Sequence, residues 1–90
     1  MVTSFSVEYT EQAAGDLGEI TKTVAQRILD KICWLSAHFE SLTPVALAGD
    51  LGGIYKLRVG DYRVLYTFSQ DARSMCILRI RHRRDVYKNL

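Results

Sequence analysis

The sequence predicts a small α+β domain: an N-terminal strand, two helices, then an antiparallel three-stranded meander packed on the helices, ending in a short C-terminal helix or tail. Three observations carry this reading. Phe5, Val7 and Tyr9 alternate with Ser4, Ser6 and Glu8, the period-2 pattern of a half-buried strand. Ile20, Val24, Ile28, Ile32, Leu35 and Phe39 recur at the spacing of one helix face. Three strand-like runs then follow a connection that holds Pro44 and three glycines. Ninety residues with 48% hydrophobic content supply one core, so residues 1–90 are expected to form a single domain.

Along the chain, Thr10 has the hydroxyl of an N-cap and Glu11 suits a first helical turn. A short helix is therefore expected over 11–17, closed by Gly18 in a left-handed conformation. A long amphipathic helix is expected over 19–39, and 41–53 reads as the connection to the sheet. Strands are expected at 54–59, 62–69 and 75–80, with residues 69–74 forming the last turn and 83–90 a terminal helix or extended arm. The chain shows no internal repeat, low-complexity tract or linker.

No stretch approaches the roughly 20 apolar residues that cross a bilayer, and Met1-Val2-Thr3-Ser4 enters the first strand pattern without a signal-peptide core. A cytoplasmic protein without membrane contact is expected. Cys33 and Cys76 sit in apolar runs without CxxC or Cys/His spacing, which favours packing over metal or redox work.

Charge is more informative than its net value of +2. Residues 1–53 hold three basic and seven acidic side chains, a net of −4, whereas residues 54–90 hold nine basic and three acidic, a net of +6. Seven of those nine are arginine, whose planar forked donors match phosphate better than a lysine-rich solubilising surface would. A polyanionic partner follows as the first expectation.

The hairpin Val59-Gly60-Asp61-Tyr62 places these charges. Glycine at the first central position accepts positive φ, so a two-residue turn fixes the pairing. Arg58 then faces Arg63, Leu57 faces Val64, Lys56 faces Leu65 and Tyr55 faces Tyr66. Tyr55, Leu57, Val59, Tyr62, Val64 and Tyr66 make one apolar face, and the cations take the other. Directly opposed arginines cost a few tenths to about 1 kcal/mol unless an anion joins them. A local rule broken on a central hairpin marks a candidate site. In the last strand, Cys76, Leu78 and Ile80 have the parity of a buried face, and Arg79, Arg81 and Arg83 the other parity. Solvated charge on a sheet face is the plainer explanation of any one of these residues. Six cations on one face without interleaved carboxylates weigh against it.

The run Tyr55-Lys56-Leu57-Arg58-Val59-Gly60-Asp61-Tyr62-Arg63-Val64-Leu65-Tyr66 resembles the central hairpin signature of the RelE/ParE toxin–antitoxin superfamily. Arg81-His82-Arg83-Arg84-Asp85-Val86-Tyr87 is similar to the ending common among its RelE-type toxins. Together with the element order, the resemblance covers nearly the whole chain and implies a RelE-like fold. It implies a metal-independent endoribonuclease that cuts messenger RNA in the ribosomal A site by attack of the 2′-hydroxyl on the neighbouring phosphate. Position by position, it implies that Lys56, Arg58, Arg63, Arg83 and Tyr87 are the catalytic residues. Arg79, Arg81, Arg84 and Lys88 are expected to bind RNA around them. The sequence departs from the family pattern at Arg81, where many relatives have glycine, and at Arg58, where the best-known branch has lysine. The implied partners are a RelB-like antitoxin, messenger RNA and the ribosome.

This reaction needs a proton removed from the 2′-hydroxyl, a dianionic phosphorane stabilised and the 5′-oxygen protonated. Arg58, Arg63 and Arg83 suit the second task, Lys56 the first if neighbouring cations lower its pKa, and Arg83 the third. Tyr87 would stack on a base or orient the hydroxyl, its plainer role being core packing. His82 shares parity with Ile80, so structural and acid–base roles both stand, and His38 fits the negative end of the long helix. A metal nuclease would gather carboxylates, and the basic half holds only Asp61, Asp71 and Asp85, so no metal or cofactor is expected. Two rivals share these features: a ParE-like inhibitor of DNA gyrase, and a non-catalytic nucleic-acid-binding or co-repressor module.

Overall fold

The computed structural model describes residues 5–39, 45–46 and 53–84. Five strands and two helices follow in the order β1 (Ser6–Tyr9), α1 (Glu11–Gly18), α2 (Lys22–His38), β2 (Val45–Ala46), β3 (Tyr55–Val59), β4 (Tyr62–Ser69) and β5 (Ser74–His82). Among the described residues the strands form one sheet in the order β1-β5-β4-β3-β2. The meander β3-β4-β5 is antiparallel as expected, and β1 joins its far edge parallel to β5. The α+β class is that read from the sequence. The two-residue β2, paired with β3, lies where only a connection was expected, being too short to leave a period-2 signal. Of the expected terminal helix or arm at 83–90, residues 83–84 form a turn and 85–90 lie outside the described residues.

Helix signals held with two shifts of boundary. Thr10 caps α1, its Oγ1 accepting from the Ala13 amide at 3.0 Å. Gly18 is not left-handed: the helix runs through it and ends at Glu19 in the right-handed region, the Glu19 amide donating to the Asp16 carbonyl at 3.1 Å and the Ile20 amide to the Leu17 carbonyl at 3.2 Å. The apolar stripe of α2 faces the sheet, with Ile28, Ile32, Leu35 and the adjoining Phe39 buried and Val24 partly so. Ile20 also packs there, but on the link between the helices, because α2 starts at Lys22. These residues close on Val64, Tyr66, Met75, Ile77 and Ile80. Phe39 packs its ring 5.0 Å from Phe5 and 4.6 Å from Phe68. Burial pushes the Tyr66 hydroxyl up to about 12, assisted by Tyr55.

Gly60 has φ +57, and the hairpin register is the expected one throughout, from Tyr55 opposite Tyr66 to Val59 opposite Tyr62. The last strand differs. Tyr66 pairs with Ile77 but Leu65 with Arg79, so Leu78 is an extra residue, a β-bulge. Before it Met75 and Ile77 are buried, and after it Ile80 is. The expected inward triad of Cys76, Leu78 and Ile80 is thus corrected. Cys76 lies opposite Thr67 on the other face, because a single parity was extended across a strand that contains a phase shift.

β1 ends opposite Ile77, so that among the described residues no strand covers the outer edge of β5 from Leu78 onward. The entry to α1 and its last turn fill that place. The Thr10 amide donates to the Ile77 carbonyl at 3.0 Å, and Thr10 Oγ1 donates to the Leu78 carbonyl at 2.7 Å. Asp16 Oδ2 accepts the Ile80 amide at 2.9 Å and Arg79 Nε at 2.8 Å, and Oδ1 accepts Arg79 Nη2 at 3.1 Å. Burial acts to raise the Asp16 pKa, but the bonds from Arg79 and Ile80 and the charges of Arg79 and Arg81 outweigh it, leaving the carboxyl below its ordinary range.

Two outcomes follow for stability. Ile28→Ala should cost about 2–5 kcal/mol in a denaturant melt, since the side chain is fully buried. Asp16 has a lower pKa folded than unfolded, so its stabilisation is complete above the unfolded value of about 3.9 and is lost as pH falls through the folded value. Asp16→Asn should lower stability at neutral pH by about 1–3 kcal/mol and flatten the acid limb of the stability curve. Parallel acid limbs in urea melts of the two proteins would contradict this.

Candidate functional site

Pairing alone sets most of the site. Arg58 on β3 lies opposite Arg63 on β4, and Arg63 lies opposite Arg81 on β5, giving three arginines in one row across three strands. The adjoining row is Lys56, Leu65 and Arg79. Both rows belong to the face away from the helices, since Leu57, Val59, Tyr62, Val64 and Ile80 take the helix side. Among the described residues, Lys56, Leu57, Arg58 and Arg63 line a shallow cavity of ≈ 430 Å³ on this hairpin.

Arg63 and Arg58 have no carboxylate at ion-pair distance among the described residues. Arg63 instead turns its Nη1 toward the hairpin, donating to the Gly60 and Tyr62 carbonyls at 3.0 Å each. That contact fixes one guanidinium edge and leaves the remaining donors of the fork to an incoming acceptor. Arg58 is exposed, whereas Lys56, Arg63 and Arg81 are half-buried. Each opposed pair costs a few tenths to about 1 kcal/mol, which a bridging phosphate would reverse.

Other expected site residues separate from this row. Arg79 belongs to the face but is committed to Asp16, and that hydrogen bond raises its pKa against the opposing effect of burial. Arg83 lies just past β5, where its amide donates to the Asp61 carbonyl at 2.7 Å and its Nε stands 3.9 Å from Asp61 Oδ1. Both side chains are exposed, so the ion pair adds little, while the backbone bond ties Arg83 to the hairpin tip beside Arg63. Arg84 is exposed at the same end, its amide donating to His82 Nδ1 at 3.2 Å. His82 points to the helix side and meets the Tyr62 ring edge-on at 5.4 Å. Tyr87 and Lys88 lie outside the described residues. His38 bonds the Trp34 carbonyl at 2.9 Å near the end of α2, as its position suggested.

Two residues were missed by sequence reasoning. Asp16 entered only as one of the seven acidic side chains of the first half and Thr10 as a cap only, yet both fasten β5. A usable signal existed: an aspartate in the last turn of a helix opposes the macrodipole, which calls for a compensating contact.

Comparison with known proteins agrees with this fold. Residues 7–87 match a family model described as the ParE toxin of the type II toxin–antitoxin system parDE. Toxin RelG of Mycobacterium tuberculosis is 25% identical over 84 residues, covering 93% of this chain and 97% of that protein. Among solved structures, the RelBE2 toxin–antitoxin complex of M. tuberculosis superposes with a TM-score of 0.79 at 26% identity, over 91% of this chain and 94% of the matched one. The archaeal RelE–RelB complex from Pyrococcus horikoshii OT3 gives 0.71 at 26% identity, over 89% and 96%. With nearly its whole length matched in sequence and in fold, the chain belongs to the RelE/ParE family of type II toxin–antitoxin toxins.

Proposed function

We propose that this toxin inhibits translation as a metal-independent endoribonuclease, cutting messenger RNA in the ribosomal A site. The observation that supports this reading most is the Arg58–Arg63–Arg81 row with Lys56 beside it. In-line cleavage places a dianionic phosphorane against a surface, and preorganised cations are the largest stabilising contribution a protein can offer it. The arginine forks supply that charge without a bound cation. In the proposed step the 2′-oxygen bonds to phosphorus as the bond to the 5′-oxygen breaks, leaving a 2′,3′-cyclic phosphate and a 5′-hydroxyl. Lys56 takes the 2′-hydroxyl proton, and Arg83, carried to the hairpin tip by Asp61, delivers a proton to the departing oxygen. Tyr87 stacks on a neighbouring base. Arg79 braces the face through Asp16, while Arg81, Arg84 and Lys88 hold the RNA backbone. Few acid–base groups stand on this surface, so the ribosome provides the positioning of the message.

An antitoxin is the second proposed partner, since two of the solved relatives are toxin–antitoxin complexes, RelBE2 and RelE–RelB. A segment with acidic side chains would neutralise the arginine row and compete with RNA. The description of the matched family favours one alternative, a ParE-like action on DNA gyrase.

Purified toxin added to translating ribosomes should cut a defined message at the A site in the presence of EDTA, as mapped by primer extension. Arg63→Ala and Arg83→Ala should each lower the rate by about 10²–10³-fold, the size expected for loss of a transition-state donor. Intact message on active ribosomes would reject the nuclease, and inhibition of gyrase by the same preparation would then support the alternative. Binding to single-stranded RNA should weaken with salt, and Arg58→Ala should reduce the logarithmic slope by about 0.7.

A further inference from the structure

We propose that Thr10 and Asp16 are positioning residues: by clamping the Leu78 bulge they aim Arg79 and Arg81 at the cationic face. The functional consequence rests on the nuclease reading above, whereas the clamp itself does not.

Continuing the inward parity of Met75 and Ile77 would turn Arg79 and Arg81 toward the core of Ile28, Ile32 and Tyr66. Burying two guanidinium groups there is prohibitive without partners. One extra residue reverses the phase, so that Ile80 enters the core and Arg81 comes to lie opposite Arg63. A bulge on a strand edge needs something to hold it, because slipping by one residue would restore regular pairing at the cost of side-chain placement. The polar contacts from Thr10 and Asp16 fall on the residues around the extra one: the Ile77 carbonyl, the Leu78 carbonyl, the Ile80 amide and the Arg79 guanidinium. Thr10 caps α1 and Asp16 lies in its last turn, so a short helix converts its own placement against β5 into the direction of the arginines. Arg79 is therefore a strut, and Arg81 the residue delivered to phosphate.

The test compares Thr10→Val, which removes the hydroxyl at nearly constant shape, Thr10→Ser, which keeps it, and Asp16→Asn. Cross-strand NMR contacts between Arg63 and Arg81 and hydrogen exchange at the Ile80 amide report the bulge directly. Single-turnover cleavage on ribosomes reports its use. Thr10→Val and Asp16→Asn should lose the Arg63–Arg81 contact, exchange Ile80 at least tenfold faster, and cleave about 10–100-fold more slowly, the loss expected when reacting groups are misplaced by about 1 Å. Thr10→Ser should restore all three readouts. Wild-type register and exchange in both disruptive variants would overturn the clamp, as would failure of Thr10→Ser to rescue. If wild-type toxin does not cleave while the variants lose register, the clamp stands and the nuclease reading falls. Should Asp16→Asn not fold, Thr10→Val, which leaves every charge in place, decides the matter.

Discussion

Alternation along β5 meets a conflict at Ile77: the next residues of the same parity are arginines, and the core has no place for them. Leu78 resolves it by occupying a position without a cross-strand partner. What β5 contributes to the cationic face depends on that shift. It puts Ile80 under α2, sets Arg81 in line with Arg63 and Arg58, and leaves outer-edge backbone groups that α1 satisfies. The bulge is stable because Thr10 and Asp16 supply acceptors and donors where a strand would have done so, and edge groups left unpaired away from water would each cost about 1–3 kcal/mol.

The two faces of the sheet follow opposite rules. Toward the helices, mainly aromatic and aliphatic side chains interlock around Ile28, Ile32, Val64, Tyr66 and Ile77. On the other side, like charges are paired across strands at a small cost per pair, an arrangement that stability alone would not select. The cost is tolerable because Arg63 spends one guanidinium edge on hairpin carbonyls and Arg79 is neutralised by Asp16. What remains is a strip of preorganised donors with unmet capacity for phosphate. In a toxin this also gives control: an acidic segment satisfying the strip would silence it, and removing that segment would restore it.

Much of this was legible in the sequence. The β3-β4 register followed from one Gly-Asp turn, because a tight hairpin fixes every pair behind it. The face of α2 followed from its apolar spacing. The Arg58–Arg63 opposition, and with it the site, came from the same register. Three features were hidden for physical reasons. β2 is too short for any periodicity. The bulge inverts phase within a strand, so Cys76 and Ile80, equal in parity, lie on opposite faces. The role of Asp16 depends on a partner 63 residues away, which local pattern cannot reveal. Family resemblance pointed to Lys56, Arg58, Arg63 and Arg83, but nothing local showed that Asp61 would tie Arg83 to the hairpin tip.

In the proposed function the arginine row receives the phosphodiester to be broken. A crystal structure of the toxin with a short messenger fragment, carrying hydrogen in place of the reactive 2′-hydroxyl, tests this most directly. A phosphate should bridge Arg58, Arg63 and Arg81, with its 5′-oxygen toward Arg83. A fragment bound through the helices or the β1 edge, with the arginine row empty, would contradict it.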